Sequence, residues 1–412
     1  MRHTDVVLCP DSDLPVARVL DDLRETLSRN GSAVLVAPPG SGKTTLVPLA
    51  LADRARGRVI VAEPRRVAVR AAARRMAQLS GTRVGEEIGY TVRGERKVSR
   101  RTRVEVVTTG VLVQRLQRDP ELSGVDAVML DECHERHLDT DLALAFTADV
   151  RANLREDLAL LAASATADAE RLSAALGAAP IVSAEARPHP VDVRWTPPPR
   201  PVTPPHGLWV DPKLLDHVAA TVRLALRERD GDVLVFLPGA GEIRQVHRRL
   251  SDLDSIDLLT LHGSQSGDTQ DAALRLGPRR RVVLASAVAE SSLTVPGVRV
   301  VVDAGLSRQP RTDLSRGLDS LVTVAEPRDS AEQRAGRAAR EAPGTVYRCW
   351  SAADHERLPA RALPDIATAD LTAFVLQLAR WGSADGHGLA LLDPLPEAAA
   401  TVAAATLRFL GA

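Results

Sequence analysis

Residues 37–45, with the sequence Ala-Pro-Pro-Gly-Ser-Gly-Lys-Thr-Thr, place the tightest constraint on how this chain can fold. They follow a short apolar run at residues 33–36, which favours a buried strand, and they precede an apolar stretch that can begin a helix. Glycines in such a loop allow backbone N–H groups to surround phosphate oxygens, and the positive end of the helix dipole adds to the attraction. The order of strand, loop and helix therefore predicts a phosphate-binding loop.

The residues of this loop have individual predicted roles. We expect nucleotide phosphates to be held by Pro39, Gly40, Ser41, Gly42, Lys43, Thr44 and Thr45. Lys43 should reach the outer phosphates, and the Thr44 hydroxyl should ligate Mg²⁺. Only three of the 53 basic residues are lysines, so the compact ammonium of Lys43 indicates selection rather than a turn that contains Gly-Lys-Thr by chance. The first position is Ala37, where these loops usually have glycine.

The composition is that of an ordinary globular protein, with 44% hydrophobic and 26% charged residues. The 412 residues can form roughly two to three domains, and with only 2% aromatic residues their cores must be aliphatic. Because the formal net charge is zero, nucleic-acid binding requires local basic patches. The three cysteines have neither metal-site nor disulfide spacing, which favours a reducing compartment. No apolar run reaches membrane-spanning length and no signal-peptide core is present, so we expect a cytoplasmic protein without a membrane partner.

Short apolar runs alternate with helical patterns through the first half of the chain. The predicted strands are residues 33–36, 59–62, 104–107, 127–130 and 158–162. The predicted helices are residues 46–53, 67–79, 111–117 and 140–150. The strand runs are continuously apolar, as expected for strands buried on both faces of a parallel sheet. This half is therefore predicted to be a doubly wound α/β domain that binds ligands at the carboxyl ends of its strands.

A proline-rich stretch at residues 187–205 interrupts this pattern and is interpreted as a semi-rigid connector. A second α/β series follows, with predicted strands at residues 233–237, 256–261, 282–285, 298–302 and 345–348. This series has no phosphate loop, so the two units together predict one ATP site in the cleft between them. Helical candidates follow at residues 371–381 and 398–410. The predicted divisions of the chain are residues 1–186, 187–350 and 351–412.

Two acids directly follow the apolar strand at residues 127–130. Asp131 at the strand tip can hold Mg²⁺ through water, and Glu132 can share that role and can orient and deprotonate an attacking water. Without the upstream phosphate loop, the two acids could equally be a helix N-cap pair. His134 and His137 could be read as metal ligands, but their place beside an Asp-Glu pair and a phosphate loop argues against this interpretation.

Residues 333–340, Gln-Arg-Ala-Gly-Arg-Ala-Ala-Arg, place Arg334, Arg337 and Arg340 at three-residue spacing. On a helix these side chains would share a face. One interpretation is a solvated basic stripe. The other is an arginine finger, which delivers positive charge from the second domain to the γ-phosphate and stabilises the transition state only when the cleft closes. The sequence leaves both interpretations open.

Arginines are also concentrated in and just before the predicted helix at residues 67–79. They are Arg65, Arg66, Arg70, Arg74 and Arg75. Three of them share a helix face, where like charges repel one another, which is consistent with a polyanionic partner. A solvated surface is equally consistent, because the chain uses arginine throughout. Since no aromatic residues are interspersed, contact with a phosphate backbone is favoured over base stacking.

Taken together, these residues give the chain a pattern that resembles the DEAH/RHA-type superfamily 2 helicases, and within them the bacterial HrpB-like ATP-dependent helicases. The resemblance covers about residues 15–400, with the motifs in the order of the family. In the first half, residues 37–45 resemble motif I, 63–66 motif Ia, 108–110 motif Ib, 131–136 motif II and 164–166 motif III. In the second half, residues 236–243 resemble the region of motif IV, 285–294 motif V and 333–340 motif VI.

The resemblance implies an α/β fold of two tandem RecA-like parallel-sheet domains plus a short C-terminal helical segment. It implies ATP hydrolysis with Mg²⁺ and movement along single-stranded RNA in the 3′-to-5′ direction. The catalytic residues that it implies are Lys43, Glu132, Gln333, Arg337 and Arg340. It also implies that Arg75 stacks on the nucleotide base, and that His134, Ser164 and Thr166 couple hydrolysis to the nucleic-acid side. The implied nucleic-acid contacts are Arg65, Arg66, Thr108, Thr109 and Ser286.

Several features depart from or extend the family pattern. Motif II is Asp-Glu-Cys-His rather than Asp-Glu-Ala-His, which should be harmless. Motif V has Ser286-Ala287 where Thr-Asn is frequent, which removes one expected hydrogen bond to nucleic acid. Motif VI has Ala339 where glycine is usual, which should crowd the loop before Arg340. Residues 305–325, with a turn at 315–317, match the strand-separating β-hairpin of the family.

The sequence therefore predicts an ATP-dependent helicase or translocase that acts on RNA, either single-stranded or a duplex with an overhang, with DNA as the alternative. Because the chain ends within the expected start of a winged helix, we expect a C-terminally shortened protein or a fragment. The competing hypothesis is therefore a truncated ATP-binding remnant or clamp that binds nucleic acid or a partner without unwinding. A small-molecule kinase fits less well, because residues 333–340 would have no role in it.

Overall fold

The structure is a computed structural model, and it describes residues 9–10, 12–165, 168–185, 189–290, 295–313 and 318–412. The chain forms two compact units. The first unit contains residues 1–186 and 364–412, and the second contains residues 187–363. The C-terminal residues therefore return to the unit in which the chain begins.

Helices predicted from the sequence are all present, with small shifts at their ends. The first unit begins with α1 Leu20–Asn30, α2 Lys43–Ala52, α3 Arg66–Leu79, α4 Thr109–Arg118, α5 Leu138–Asn153 and α6 Ala169–Ala175, of which α2 to α5 are predicted helices. The second unit has α7 Pro212–Glu228, α8 Ala240–Arg249, α9 Gly267–Leu274, α10 Arg328–Gly336 and α11 Ala352–Arg357, none of which the sequence predicted. The chain re-enters the first unit with α12 Thr372–Trp381 and α13 Glu397–Leu410. Across the described residues, no helix combines the length and apolar character needed to cross a membrane.

The first unit is built on an eight-stranded sheet. Its strands are β1 Ser32–Val36, β2 Arg58–Glu63, β3 Ile88–Val92, β4 Glu95–Lys97, β5 Val104–Thr108, β6 Val125–Leu130, β7 Ala159–Ser164 and β8 Ile181–Ser183. Their order across the sheet is β4-β3-β5-β2-β6-β7-β1-β8, and the pairing is parallel except between β3 and β4. The five strands predicted from the sequence form the interior of this sheet, so the predicted doubly wound domain is confirmed.

The three strands of this sheet that the sequence did not predict lie toward its two edges. β4 consists entirely of charged residues, Glu95, Arg96 and Lys97, and pairs antiparallel with β3. β3 interrupts its apolar residues with Gly89 and Thr91. A strand near an edge needs no continuous apolar run, so the pattern that identifies doubly buried strands does not detect it.

Two apolar layers cover the faces of the first sheet. One layer includes Leu23 of α1, Leu46 of α2 and Val69 of α3. The opposite layer includes side chains of α4, α5, α12 and α13, among them Leu378 and Leu407. Neighbouring residues of β1 and β2 alternate between the two layers, as expected for strands buried on both faces.

The C-terminal helices are anchored to the first unit by specific contacts as well as by this apolar layer. The rings of Phe146 on α5 and Trp381 on α12 stack at 4.2 Å with an interplanar angle of 6°. Trp381 Nε1 donates to Asp149 at 2.9 Å, and Gln117 donates to the carbonyl of Gln377 at 2.8 Å. The sequence treats residues 351–412 as one segment, but the structure divides them, because only residues 364–412 belong to the first unit. Helical periodicity in the sequence indicates that α12 has an apolar face, but it does not indicate which sheet that face covers.

The second unit contains a six-stranded sheet in which all pairs are parallel. The sheet strands are β9 Val191–Trp195, β10 Asp232–Phe236, β11 Asp257–Leu261, β12 Arg281–Ala285, β13 Val298–Asp303 and β16 Gly344–Arg348. Two further strands, β14 Leu306–Asp313 and β15 Leu318–Ala325, form a separate hairpin. The order across the sheet is β11-β12-β10-β13-β16-β9. The five strands predicted for this half are all present in it.

The proline-rich connector prediction was partly wrong, because β9 lies within residues 187–205 and forms an edge of the second sheet. β9 pairs with β16 from Val191 opposite Gly344 to Trp195 opposite Arg348. Prolines flank this strand rather than interrupt it, and residues next to proline already favour extended backbone. The segment therefore combines an edge strand with a connection.

The hairpin predicted at residues 305–325 is present as an antiparallel pair, β14 and β15, separate from the parallel sheet. Its register runs from Leu306 opposite Ala325 to Asp313 opposite Leu318. The predicted turn at residues 315–317 lies outside the described residues. The antiparallel ribbon is therefore established as an element of the second unit, whereas strand separation by it stays a prediction.

Candidate nucleotide-binding site

The carboxyl ends of four adjacent strands meet at one edge of the first sheet. β1 leads into the phosphate loop, β2 ends at Glu63, β6 ends just before Asp131, and β7 ends at Ser164. The order β2-β6-β7-β1 makes these strands neighbours. The N–H of Asp131 donates to the carbonyl of Ala62 at 2.9 Å, and the N–H of Ala37 donates to the carbonyl of Ser164 at 3.1 Å. The parallel topology therefore brings residues from four parts of the sequence to one place.

The phosphate loop has the backbone conformation that its glycines permit. Gly40 and Gly42 have φ angles of 83° and 93°, which glycine adopts without a steric cost. α2 begins at Lys43, directly after the loop, so the positive end of the helix lies at the loop. The Ser41 hydroxyl is buried and has no hydrogen-bond partner among the described residues. A buried hydroxyl in this position can bond to an oxygen of a bound phosphate.

The loop lysine and threonine contact the two acids that follow β6. Lys43 Nζ lies 3.1 Å from Glu132 Oε2 and 3.2 Å from Asp131 Oδ1, and all three side chains are buried. The Thr44 hydroxyl donates to Asp131 Oδ2 at 2.5 Å. Burial alone would lower the pKa of Lys43, but the charges of Asp131 and Glu132 raise this pKa above its ordinary value. The structure thus brings together the residues predicted for phosphate, metal and water, which lie 87 to 89 positions apart in the chain.

Glu132 has a left-handed backbone with φ of 54°, which is uncommon for a residue other than glycine. Burial by itself would raise the pKa of its carboxyl, but Lys43 and His134 lower it below its ordinary value. His134 Nε2 lies 3.5 Å from Glu132, and His134 Nδ1 accepts the N–H of Ala165 at 3.3 Å. His134 therefore connects Glu132 to the segment after β7, in the position predicted for a coupling residue. Thr166, predicted to share that role, lies outside the described residues.

Glu63 is a third carboxylate at this edge, and the sequence motifs did not assign it a role. It is fully buried, and neither carboxylate oxygen has a hydrogen-bond partner among the described residues. Burial and the negative charges of Asp131 and Glu132 raise the pKa of Glu63 well above its ordinary value. Its place at the end of the strand beside β6 is the signal that could have identified it.

These residues fit a nucleoside triphosphate that carries a divalent cation. Ser41 offers a hydroxyl that no described residue contacts, Lys43 an ammonium, and the start of α2 its N-terminal N–H groups. The Thr44 hydroxyl and the Asp131 carboxylate are the oxygen ligands that Mg²⁺ prefers. No cluster of three acid, His or Cys ligands occurs in the described part of the chain.

The residues predicted to contact nucleic acid from the first unit differ in exposure. Arg65 is half-buried and forms an ion pair with Glu135 at 2.9 Å. Arg66 is exposed at the start of α3. Thr108 ends β5 and is half-buried, whereas Thr109 begins α4 and is buried. Their contacts with a nucleic acid stay predictions.

Helix α3 does not present its arginines as one uniform charged face. Arg70 donates to Glu95 at 2.9 and 2.7 Å, and the Tyr90 hydroxyl donates to the same carboxylate at 2.5 Å. Arg70 therefore stabilises the edge strands of its own sheet. Arg75 is exposed on α3, and its predicted stacking on a nucleotide base stays a prediction.

In the second unit, Arg334 is buried rather than part of a solvated stripe. Its side chain is 1% exposed and contacts Glu290 at 3.0 Å, Asp303 at 3.1 Å and Glu326 at 2.5 Å. Its guanidinium carbon also lies 5.0 Å from the centre of the Phe236 ring. The solvated-stripe interpretation was therefore wrong for Arg334, because three carboxylates from other segments surround it.

The other motif VI residues do not continue one helical face either. α10 ends at Gly336, and Arg337–Ala339 form a turn of 3-10 helix. Arg337 is buried and donates to the carbonyl of Glu290, while Gln333 and Arg340 are half-buried. The expectation of three arginines along one helix face was wrong. The catalytic roles of Gln333, Arg337 and Arg340 stay predictions.

Ser286 directly follows β12 and is half-buried. Its backbone N–H donates to the carbonyl of Leu261 at 3.1 Å, which places it at the end of the second sheet. The four residues of motif V at positions 291–294 lie outside the described part of the chain. The predicted contact of Ser286 with nucleic acid stays a prediction.

A mostly parallel sheet with a phosphate loop after its first strand, and with two acids that contact the loop lysine and threonine, is the arrangement of a P-loop nucleotide-binding domain. Residues 21–174 match the DEAD/DEAH box helicase family, and residues 215–342 match the helicase conserved C-terminal domain. The chain therefore belongs to the DEAD/DEAH-box helicases, which confirms the resemblance seen in its motifs.

Individual relatives agree with this assignment. The chain is 41% identical over 407 residues to the ATP-dependent RNA helicase HrpB of Escherichia coli, covering 97% of this chain and 49% of the relative. It is 33% identical to the probable ATP-dependent RNA helicase DHR2 of Saccharomyces cerevisiae, covering 90% of this chain and 52% of that protein. The crystal structure of the E. coli DEAH/RHA helicase HrpB matches with a TM-score of 0.90 over 97% of this chain and 51% of that one. The predicted fold of two RecA-like domains is confirmed, and the chain spans about half the length of the curated relatives it matches.

Proposed function

We propose that this chain is an ATP-dependent helicase or translocase that hydrolyses ATP with Mg²⁺ and acts on RNA. One observation carries the proposal: Lys43 and Thr44 lie within 3.2 Å of the carboxylates of Asp131 and Glu132. This is where phosphates, a cation and an attacking water must meet in a nucleoside triphosphatase. The relatives named as ATP-dependent RNA helicases support RNA as the substrate, with DNA as the alternative.

Each side chain of the first unit has a separate task in this proposal. Bound ATP would supply the phosphoanhydride bond, and bound Mg²⁺ would neutralise the charge on its oxygens. Lys43 would exchange its carboxylate partners for phosphate oxygens, and Thr44 and Asp131 would hold the cation, Asp131 through water. Glu132 Oε2 accepts the proton of the attacking water, and the charge of Lys43, which lowers the pKa of Glu132, keeps this carboxylate ionised until the ammonium moves to phosphate. His134 holds Glu132 in place from the side of β7.

The remaining predicted residues complete the proposal. The second unit would supply Gln333, Arg337 and Arg340 to the γ-phosphate, since positive charge there stabilises the transition state. The nucleic-acid contacts would be to the phosphate backbone, from Arg65, Arg66, Thr108, Thr109 and Ser286. Arg75 would stack on the nucleotide base, and Ser164 and Thr166 would couple hydrolysis to those contacts. The proposed location is the cytoplasm, because cysteines without disulfide spacing favour a reducing compartment.

The test is the rate of ATP hydrolysis by the purified chain, with and without single-stranded RNA, at low and moderate salt. We expect RNA to stimulate hydrolysis and the stimulation to weaken as salt rises, because phosphate-backbone contacts release counterions. A single-stranded DNA of the same length distinguishes the two substrates. Unchanged hydrolysis in both Lys43→Ala and Glu132→Gln would overturn the assignment of the site.

The competing function is an ATP-binding clamp that holds nucleic acid or a partner without unwinding. A duplex with a single-stranded RNA overhang and a labelled strand distinguishes the two functions. Strand release that needs ATP supports the helicase proposal. Steady hydrolysis that ignores RNA, together with a duplex that stays intact, would support the clamp instead.

A further inference from the structure

The loop that carries the catalytic acids is tied at its far end to the C-terminal segment of the first unit. Arg136 Nε and Nη2 donate to Asp141 on α5 at 3.2 and 3.0 Å. The same Nη2 also donates to Asp393 at 2.5 Å, across 257 positions of sequence. Arg171 on α6 donates to Asp393 at 2.8 Å, so this carboxylate is itself held in place. The guanidinium of Arg136 is thus fixed from two sides.

The contact of Arg136 with Asp393 is the first tie between this loop and the C-terminal segment, and His137 and Asp365 form a second. The ring of His137 lies between two carboxylates, at 2.8 Å from Glu135 and 2.9 Å from Asp365. The backbone N–H of Asp365 also donates to the carbonyl of Arg136 at 3.1 Å. Asp365 therefore contacts both the side chain of one residue in the loop and the backbone of the preceding residue. Neither tie involves the residues that hold phosphate or the cation.

The segment between these ties and the catalytic carboxylate is one tight turn. Cys133–Glu135 form a 3-10 helix whose flanking residues, Glu132 and Arg136, both have left-handed backbone, with φ of 54° and 53°. The N–H of Glu135 donates to the carbonyl of Glu132 at 2.9 Å, and Cys133 is buried. Left-handed backbone at a residue other than glycine is strained and persists only where the surroundings enforce it. A displacement of Arg136 must therefore be transmitted to Glu132.

We propose that Asp393 and Asp365 are positioning residues for Glu132. They fix Arg136 and His137, and the short turn between them and Glu132 aims the carboxylate at the place of the attacking water. The inference rests on the proposed hydrolysis and deepens it, because it makes the turnover of the first unit depend on its C-terminal segment. Positioning matters at this scale, since a misplacement of about 1 Å at a catalytic group can cost a hundredfold in rate.

The simpler explanation is that these ion pairs only fasten the C-terminal helices to the first unit. Those helices have other attachments, which allow the two explanations to be separated. Trp381 holds α12 through its stack on Phe146 and its hydrogen bond to Asp149, both on α5 and outside residues 131–137. Trp381→Phe should therefore weaken the attachment and leave the turn intact. Asp385 lies in the same segment, is exposed, and accepts the N–H of His387, so Asp385→Asn is a matched charge control.

The experiment compares the full chain with Asp393→Asn, Asp365→Asn, Asp393→Glu, Trp381→Phe and Asp385→Asn. We expect each of the two asparagine variants at the ties to lower kcat by about tenfold, with KM for ATP and fluorescent-nucleotide affinity within about twofold of wild type. Asp393→Glu should recover most of the loss, because it restores the charge within reach of Arg136. Trp381→Phe and Asp385→Asn should keep the wild-type kcat, even where Trp381→Phe lowers the melting temperature.

A second readout needs no nucleotide at all. Hydrogen exchange of the amides of residues 132–137 in the nucleotide-free chain should become faster in Asp393→Asn and Asp365→Asn, and should be unchanged in Trp381→Phe. If the tie variants keep both wild-type kcat and wild-type exchange, the positioning proposal is overturned. If the two tie variants and Trp381→Phe all lose kcat in proportion to their loss of melting temperature, the ion pairs only attach the C-terminal helices to the first unit. A wild-type chain that hydrolyses no ATP would refute the proposed function, while faster exchange in the tie variants would still support the positioning of the turn.

Discussion

Lys43 Nζ lies 3.1 Å from Glu132 Oε2, so the ammonium expected to meet phosphate rests on the carboxylate expected to meet water. Each group therefore neutralises the charge of the other. Nucleotide binding must draw the ammonium toward phosphate, which leaves Glu132 without its strongest counter-charge as the reaction begins. The same contact thus stabilises the site and links phosphate binding to activation of the base.

The first prediction follows from this contact. Lys43→Ala should abolish nucleotide binding and also destabilise the first unit by about 3 kcal/mol, because it leaves Asp131 and Glu132 buried without their counter-charge. Glu132→Gln should keep nucleotide affinity and lower kcat by a factor of about 100 or more. Equilibrium titration with a fluorescent nucleotide and chemical denaturation measure the two effects. Equal losses of affinity in both variants would contradict this division of roles.

The second prediction concerns Glu63. Its pKa in the folded chain is raised, so its contribution to the free energy of unfolding is fully present below its unfolded pKa and is lost as the pH rises through the folded pKa. Glu63→Gln keeps the size and removes the ionisation. We therefore expect this variant to gain about 1–3 kcal/mol over wild type near pH 8, and much less near pH 5.

Chemical denaturation of wild type and variant at the two pH values measures this gain for the first unit. Glu121→Gln is the control, since Glu121 is an exposed glutamate of the same unit. A stability difference that does not change with pH would show that Glu63 is not the titrating group. The neutral amide is also expected to leave nucleotide affinity near that of wild type.

The phosphate loop and the Asp131–Glu132 pair could be predicted because each is a short run of neighbouring residues whose spacing follows directly from its chemistry. The interior strands could be predicted because burial on both faces requires continuous apolar runs. The partners of Arg334 could not be, since Glu290, Asp303 and Glu326 come from three other segments. A periodic arginine pattern looks the same whether it faces water or buried carboxylates.

The contacts of Arg136 and His137 with the C-terminal segment could not be predicted for the same reason. Asp393 lies 257 positions from Arg136, and Asp365 lies 228 positions from His137. Both acids occur in stretches without a catalytic motif, and no local pattern indicates that α12 and its flanking residues pack on the first sheet. Only the return of the chain to the first unit places them beside the turn.

The third prediction concerns His137, which faces Glu135 and Asp365 and interacts electrostatically with Asp139. Partial burial lowers its pKa, but hydrogen bonds to Asp365 and Glu135 raise the pKa to about 10. Folding therefore favours the charged ring. Its stabilising contribution is fully present below the ordinary pKa of 6.5 and is lost as the pH rises toward 10.

We expect the melting temperature of wild type to exceed that of His137→Gln near neutral pH, and the difference to shrink steadily up to about pH 10. Scanning calorimetry across this range measures the difference. The exposed His387 in the C-terminal segment provides the control variant His387→Gln, which should follow wild type. A difference that grows with pH would mean that His137 is neutral in the folded chain.

The fourth prediction separates structure from catalysis in motif VI. Arg334 is buried among three carboxylates, so Arg334→Ala should destabilise the second unit by about 3–5 kcal/mol, because it leaves those carboxylates unpaired. Arg334→Lys should recover only part of this loss, since an ammonium cannot reproduce the forked contacts of a guanidinium. Chemical denaturation, with hydrogen exchange at β13 and β16 to identify the unit that unfolds, measures the effect. Arg248→Ala on the exposed side of α8 should stay close to wild type. If Arg334→Ala instead unfolds like wild type and loses only ATP turnover, Arg334 acts at the nucleotide and not as the centre of a structural cluster.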